Sequence, residues 1–140
     1  MNASPLTHSC KFILLGEDDI DDQELLKEIF LSIDSSLGVI PINNGPRLLK
    51  YLDDLHVDSL PSILILDYNM PEMNGAEILE ILKGNPRFDS IPKIIWSTSN
   101  SDNYKHLCLK HGADDYIVKP SSMNALVEVA KHMLSFCRNN

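Results

Sequence analysis

Short apolar runs alternate along this chain with longer segments in which apolar residues recur every three or four positions. The short runs are typical of strands buried on both faces of a sheet, and the longer segments are typical of amphipathic helices. The predicted strands cover residues 12–15, 39–42, 63–66, 93–96 and 116–118. The predicted helices lie at residues 21–33, 48–55, 78–82, 102–111 and 123–136.

Five strands that alternate with five helices predict one α/β domain. Strands that are apolar throughout pair in parallel, and the helices between them cover both faces of the sheet. The domain is expected at residues 11–137, with a flexible N-terminal segment at 1–10 and a short tail at 138–140. Pro41 indicates that the second strand is an edge strand or carries a bulge, because proline cannot donate to a sheet ladder.

The residues at the helix ends predict where the helices begin and end. Asp21 or Asp22 is expected to cap the first helix, and Asn74 is expected to cap the third. Gly112 is expected to end the fourth helix, because glycine readily adopts the left-handed conformation that is common there.

The charge and the composition narrow the classes of function. A net charge of -8 argues against a nucleic-acid-binding surface, which requires clustered Lys and Arg, and fits a cation site or a protein partner. No apolar run approaches the roughly 20 residues of a membrane helix, and the N-terminus does not resemble a signal peptide. We therefore expect a cytoplasmic protein with no membrane partner. Cys10, Cys108 and Cys137 lack zinc-site spacing and are expected to be free thiols.

Polar residues follow four of the five predicted strands directly. They are Glu17-Asp18-Asp19 after the first strand, Asp67 after the third, Ser97 after the fourth and Lys119 after the fifth. Ligands of open parallel sheets bind at the carboxyl ends of the strands, near the point where the strand order reverses. These side chains are therefore expected to surround one site.

The chemistry of this set points to a divalent cation and a phosphoryl group. Two carboxylates about 4 Å apart repel each other by about 4 kcal/mol at an effective dielectric constant of about 20, so the acids require a positive partner. Oxygen ligands suit Mg²⁺, and Lys119 offers a second positive charge. An aspartate carboxylate is a nucleophile toward phosphorus. The cation and Lys119 would neutralise charge on the transferring oxygens, and Ser97 could hydrogen-bond one of them.

Four segments of the sequence resemble the receiver-domain family of response regulators. They read ILLGEDDIDD (13–22), ILDYNMPEMNG (65–75), IWSTS (95–99) and YIVKP (116–120). Each segment alone is a weak signal, but all four in this order on the predicted strands are specific. The resemblance spans about residues 11–136, includes the chemotaxis receiver CheY, and is closer for the small receivers that partner phytochrome-type histidine kinases. It implies a flavodoxin/CheY-like sheet of order 2-1-3-4-5.

The resemblance also implies a role for each site residue. Asp67 matches the phosphoacceptor, Lys119 the phosphate partner, Ser97 the switch hydroxyl and Tyr116 the aromatic residue that turns inward on activation. The switch position more commonly holds Thr, and Ser97 keeps the hydroxyl that this role requires.

A metal site is the second implication of the resemblance. Asp18 matches a direct ligand, Glu17 a ligand through water, Asp67 a shared ligand, and Asn69 a ligand through its backbone carbonyl. The implied ion is Mg²⁺, with Mn²⁺ or Ca²⁺ as substitutes. The acidic pair could instead be Asp18-Asp19, although the strand register favours Glu17-Asp18.

By this resemblance the chain is a single-domain response regulator that takes a phosphoryl group from a sensor histidine kinase. Its only catalysis would be its own phosphorylation and dephosphorylation. Output would pass by protein contact to a downstream protein through the fourth helix, fifth strand and fifth helix. Dimerisation is left open by the sequence.

Three alternatives use a similar pattern. A phosphohydrolase of the haloacid-dehalogenase type also has a strand-end Asp nucleophile, but it needs a second acid where this chain has Asn69. A flavodoxin-like electron carrier would need a phosphate-binding loop after the first strand, where the acids would repel an anion. A receiver that is never phosphorylated and serves only for docking is the third.

Overall fold

The fold is a sheet of five parallel strands covered by helices on both faces, as described by a computed structural model over residues 11–137. The predicted N-terminal segment and tail lie outside the described residues. The strands are β1 Phe12–Gly16, β2 Gly38–Ile42, β3 Ile63–Asp67, β4 Lys93–Ser97 and β5 Asp115–Val118. The order β2-β1-β3-β4-β5, with every pair parallel, confirms the predicted fold.

Two groups of helices cover the two faces of the sheet. The helices are α1 Ile20–Ile33, α2 Gly45–Asp54, α3 Gly75–Lys83, α4 Asp102–Lys110 and α5 Met123–Leu134. Side chains of α1 and α5 pack with one set of strand residues, and side chains of α2, α3 and α4 pack with the other set. Successive strand residues point to opposite faces, so Ile13 joins the first core and Leu14 the second, and both are fully buried.

The strand order reverses between β1 and β3. From β1 the chain adds β2 on one side and then β3, β4 and β5 on the other. The two crossover connections therefore leave the sheet in opposite directions and open a crevice at the carboxyl ends of β1 and β3. Gly16 ends β1 and Asp67 ends β3, so the acids after β1 and the acid of β3 flank this crevice.

The predicted cap of the first helix was wrong by two or three residues. The helix begins at Ile20, and Asp19 is its N-cap, with a side chain that accepts a 3.0 Å hydrogen bond from the Asp22 backbone N–H. Asp19 has the extended backbone of an N-cap, whereas Asp21 and Asp22 already lie in the first turn. Their carboxylates are therefore free for other contacts.

The other local predictions agree with the structure. Asn74 caps α3 in a capping box with Glu77. Gly112 follows α4 with φ +101°, the left-handed conformation expected of a terminating glycine. Pro41 lies in β2, which is an edge strand.

The cysteine prediction holds in part. Cys108 is a free and fully buried thiol, and burial raises its pKa to about 11. Cys137 is disulfide-bonded rather than free, and Cys10 lies outside the described residues. Spacing along the chain could not show this, because a disulfide depends on how close two residues come in space.

None of the helices within residues 11–137 has both the length and the apolar character needed to cross a bilayer.

Candidate functional site

Glu17 and Asp67 bring two carboxylates to the crevice from neighbouring strands. Glu17 follows β1 directly and is fully buried, and Asp67 is the last residue of β3 and is 6% exposed. The backbone N–H of Asp19 donates to Glu17 Oε2 at 3.1 Å, and that of Asn69 donates to Asp67 Oδ1 at 2.9 Å. These donors fix one oxygen of each carboxylate, and the other oxygen of each accepts from Lys119.

Lys119 is the positive centre of the site. Its Nζ donates to Glu17 Oε1 at 2.9 Å, to Asp67 Oδ2 at 2.9 Å and to Asp22 Oδ2 at 2.8 Å. Its backbone N–H donates to the Ser97 carbonyl at 2.7 Å, which holds the backbone of Lys119 beside the end of β4. The sequence predicted a lysine facing acids from two strands, and the structure brings these side chains together.

The ammonium of Lys119 also lies over an aromatic ring. Its Nζ is 4.5 Å from the centroid of the Trp96 ring, within the range of a cation–π interaction. Trp96 is opposite Asp67 in the register of β3 and β4 and is 2% exposed. The ammonium of Lys119 therefore packs against a buried aromatic ring.

Asp22 is a residue of this site that the sequence pattern did not predict. Its position predicts a helix cap, but its carboxylate pairs with Lys119, which is 97 residues away in the sequence. The sequence does indicate that Asp22 lies near the site, since it is one helical turn beyond Asp18 and Asp19, at the start of α1. The spacing alone could not reveal the lysine, because that contact depends on how α1 and the loop after β5 approach each other.

Three of the four predicted metal ligands form one cluster. Glu17, Asp18 and Asp67 each offer a carboxylate oxygen within 4.8 Å of the other two. Asp18 is exposed at the mouth of the crevice, and the other two acids are buried. This set of hard oxygen donors fits a divalent cation such as Mg²⁺, which retains waters beside a few protein ligands. Asp19 is engaged as the cap of α1, which supports Glu17-Asp18 as the acidic pair.

The backbone of Asn69 contacts Asp67 through its N–H. The role of its carbonyl as a metal ligand stays a prediction.

Ser97 and Tyr116 meet at the loop between β4 and α4. The Ser97 hydroxyl is fully buried and accepts a 3.0 Å hydrogen bond from the Ser99 N–H, and the Tyr116 hydroxyl donates to the Ser99 carbonyl at 2.8 Å. Within residues 11–137 neither hydroxyl is hydrogen-bonded to the acids. Both predicted switch residues therefore contact the same loop residue rather than the acidic cluster.

Gly75 allows α3 to begin close to the loop that follows Asp67. Its N–H donates to the Tyr68 carbonyl at 2.8 Å. A Cβ at this position would lie 3.1 Å from the Tyr68 Cα and 3.0 Å from the Ile95 Cδ1. A side chain here would push α3 away from the residues that follow Asp67.

The acids and the lysine shift each other's ionisation. Burial, reinforced by a hydrogen bond to Asp67, raises the pKa of Glu17 to about 8, although Lys119 and the Asp19 N–H act in the opposite direction. Burial alone would lower the pKa of Lys119, but its hydrogen bonds to Asp22, Glu17 and Asp67 outweigh burial and raise that pKa. The raised pKa of Glu17 means that a cation bound there would compete with a proton.

Comparison with known proteins identifies the family of the chain. The family model described as "Response regulator receiver domain" matches residues 13–131. The two-component response regulator ARR17 of Arabidopsis thaliana is 33% identical over 135 residues, which cover 91% of this chain and 86% of that protein. The chemotaxis protein CheY1 of Helicobacter pylori is 30% identical over 109 residues, which cover 78% of this chain and 88% of that protein.

Solved structures lead to the same family. The phosphorylated cyanobacterial phytochrome response regulator RcpA is similar with a TM-score of 0.83 and 26% identity, over 92% of this chain and 94% of that chain. The Mn²⁺-bound response regulator Rcp1 has a TM-score of 0.79 and 26% identity, over 90% of this chain and 93% of that chain. These matches confirm the resemblance to phytochrome-type receivers and support neither a haloacid-dehalogenase-type hydrolase nor a flavodoxin. The chain belongs to the receiver-domain family of two-component response regulators.

Proposed function

We propose that this protein is a phosphorylation-controlled switch in which Asp67 accepts a phosphoryl group from the phosphohistidine of a sensor kinase. Receiver domains are signalling proteins that take phosphoryl groups from histidine kinases. The observation that carries the assignment to Asp67 is its place at the centre of the site. Its Oδ2 lies 2.9 Å from Lys119 Nζ, and its carboxylate belongs to the cluster with Glu17 and Asp18.

Glu17, Asp18, Asp67 and the Asn69 carbonyl would hold the cation that this transfer requires. The clustered carboxylate oxygens support Mg²⁺, for which Mn²⁺ or Ca²⁺ would substitute. A bound divalent ion would neutralise negative charge on the phosphoryl oxygens. As the family resemblance implies, Asp18 would contact it directly and Glu17 through water.

The residues of this chain supply a nucleophile and charge neutralisation. An oxygen of the Asp67 carboxylate forms a bond to phosphorus while the bond from phosphorus to the kinase imidazole nitrogen breaks. The imidazole keeps the electron pair of that bond and takes up a proton. Lys119 stays protonated because of its three acidic partners, so it can donate to a phosphoryl oxygen in place of its present bond to Asp67.

The response to phosphorylation would pass through the loop between β4 and α4. The Ser97 hydroxyl accepts from Ser99 and still has its own proton to donate to a phosphoryl oxygen. A shift of Ser97 would move Ser99, whose carbonyl is held by Tyr116. Phosphorylation would thereby bias the position of this loop and of β5.

The face formed by α4, β5 and α5 would carry the signal to a partner. It exposes apolar side chains of Leu107 (39%), Val118 (40%) and Met123 (55%), one on each element. Exposed apolar groups close to a switch loop suit a protein partner. The partner is either a downstream protein or a second copy of this chain, and mass measurement in solution with and without a phosphoryl analogue separates the two.

Phosphorylation with acetyl phosphate and Mg²⁺ tests the proposal. Intact-mass spectrometry should detect one added phosphoryl group on the parent protein and none on Asp67→Asn. Asp53→Asn is the matched control, because Asp53 is exposed on α2 and should not change the labelling. Labelling of Asp67→Asn equal to that of the parent would overturn the assignment. A parent protein that binds Mg²⁺ but never gains the group would instead be a receiver used only for docking.

A further inference from the structure

The ion pair between Asp22 and Lys119 differs from the other two bonds of this lysine. All three N–H groups of the ammonium are used, by Glu17, Asp67 and Asp22. Glu17 and Asp67 belong to the cluster of potential metal ligands, whereas Asp22 does not. Cation binding and phosphoryl transfer would draw on the oxygens of Glu17 and Asp67, and they would leave the bond from Asp22 intact.

The backbone around Asp22 holds its carboxylate in place before any ligand binds. Its N–H donates to the Asp19 side chain at 3.0 Å, which fixes the first turn of α1. The next residue, Gln23, donates from its side chain to the Glu17 carbonyl and ties that turn to the end of β1. The Asp22 side chain is 35% exposed and the Lys119 side chain 12%, so this ion pair is shielded from much of the solvent.

We propose that Asp22 is a positioning residue that keeps the Lys119 ammonium over the Trp96 ring and beside Asp67 when the other two acids turn to the cation and the phosphoryl group. This inference rests on the proposed function, since Lys119 is assigned there to the phosphoryl oxygens. Without Asp22, a lysine that has lost its bonds to Glu17 and Asp67 would keep no acidic partner at the site. The reaction would then have to hold a flexible side chain in place at an entropic cost.

The single tryptophan of the chain gives a direct readout of the ammonium position. Trp96 is the only Trp in the sequence, and the ammonium lies 4.5 Å from its ring centroid. With Mg²⁺ bound and no phosphoryl analogue present, Asp22→Ala should change the Trp96 emission in the same direction as Lys119→Met. Asp21→Ala is the matched control, because Asp21 is an exposed acid on the same helical turn. This measurement does not depend on phosphorylation.

Titration with beryllofluoride in the presence of Mg²⁺ tests the role in the reaction. Asp22→Ala should weaken beryllofluoride binding about tenfold, the size expected when one charge-assisted hydrogen bond no longer orders its partner. Asp22→Asn keeps an oxygen acceptor at this position and should recover part of the affinity, because a hydrogen bond to a neutral amide is weaker than one to a carboxylate. In a Lys119→Met background, Asp22→Ala should have no further effect, because the lysine that it positions is absent.

Two results would overturn the inference. One is an Asp22→Ala protein with the emission and beryllofluoride affinity of Asp21→Ala. The other is an equal loss of affinity with and without Lys119, which would mean that Asp22 acts only through its charge. Failure of the proposed function is a separate outcome, since the parent protein would then respond to beryllofluoride no better than Asp67→Asn.

Discussion

The hydroxyl of Tyr116 donates a 2.8 Å hydrogen bond to the backbone carbonyl of Ser99 and so joins β5 to the loop between β4 and α4. Tyr116 is buried, with 6% of its surface exposed. The same loop residue donates its N–H to the Ser97 hydroxyl. Ser99 thus connects the two residues that the family resemblance assigns to the switch.

Replacement of Tyr116 by Phe should destabilise this loop without disturbing the core. The ring stays in place, but the Ser99 carbonyl loses its donor, and we expect a loss of about 1 kcal/mol in the free energy of unfolding. Urea denaturation measures the loss, and hydrogen exchange at residues 99–101 should become faster. Tyr104→Phe is the control, since the ring of Tyr104 stacks on Tyr68 and needs no hydroxyl for that contact. Equal destabilisation by both variants would contradict this prediction.

Replacement of Asp18 by Asn should separate metal binding from folding. Asp18 is exposed and belongs to the acidic cluster, so its loss should weaken Mg²⁺ binding by at least about tenfold and leave stability nearly unchanged. Isothermal titration with Mg²⁺ and urea denaturation measure the two quantities. Asp19→Asn is the control, because it removes one negative charge from the neighbouring residue and keeps an N-cap of equal quality. It should change the Mg²⁺ affinity and the free energy of unfolding only slightly. Stronger loss of Mg²⁺ affinity in Asp19→Asn would favour Asp18-Asp19 as the metal-binding pair.

The raised pKa of Glu17 predicts that Mg²⁺ affinity increases with pH. Burial and the hydrogen bond to Asp67 raise this pKa to about 8, and a carboxyl must release its proton to bind a cation. Affinity should therefore rise up to about pH 8 and then level off. Glu17→Gln should abolish most of this dependence, as measured by titration at several pH values. An unchanged slope in the variant would assign the dependence to another group.

The same shift makes the stability of the metal-free protein depend on pH. The folded state keeps a proton on Glu17 that the unfolded chain releases above the ordinary value of 4.5. The stabilisation that this proton gives the folded state is complete below about pH 4.5, and it is lost as pH rises toward about 8. The difference in free energy of unfolding between the parent and Glu17→Gln, measured in EDTA, should follow that direction.

Lys93 should be a large contributor to stability although it lies outside the site. It is 7% exposed, and its ammonium donates to the carbonyls of Phe88 and Ile91 at 2.8 Å each. Replacement by Met leaves two carbonyls without their donor, and we expect a loss of about 2–4 kcal/mol. Lys131→Met is the control, because that lysine is on the exposed side of α5 and should change stability by less than about 0.5 kcal/mol. Similar unfolding midpoints for both variants would contradict the role of Lys93.

Most of the fold and the centre of the site follow from local patterns. The run Ile63-Leu64-Ile65-Leu66 is apolar at every position because β3 is covered on both faces, and that pattern is visible in the sequence. Asp67 directly after such a run has to lie at the carboxyl end of a buried strand. Since all carboxyl ends of a parallel sheet lie along one edge, the meeting of Glu17, Asp67 and Lys119 could be predicted without coordinates.

The prediction failed where a side chain had more than one possible partner. Asp19, Asp21 and Asp22 are equivalent as caps in the sequence, and only the backbone conformation at residue 19 selects the first of them. Lys93 begins a run whose pattern predicts a buried strand, and that pattern does not show where its ammonium lies. The ammonium is buried because it donates to carbonyls of the turn before β4. Neither contact leaves a periodic signal.

The parallel sheet and its acidic edge could be predicted from residue type and spacing, because these show which strands are buried and where they end. The strand order and the family were implied by the four segments that resemble receiver domains. The pairing of Asp22 with Lys119 and of Tyr116 with Ser99 is visible only in the three-dimensional structure. Those partners lie 97 and 17 residues apart, and a hydrogen bond forms only when two elements approach within about 3 Å in the right direction.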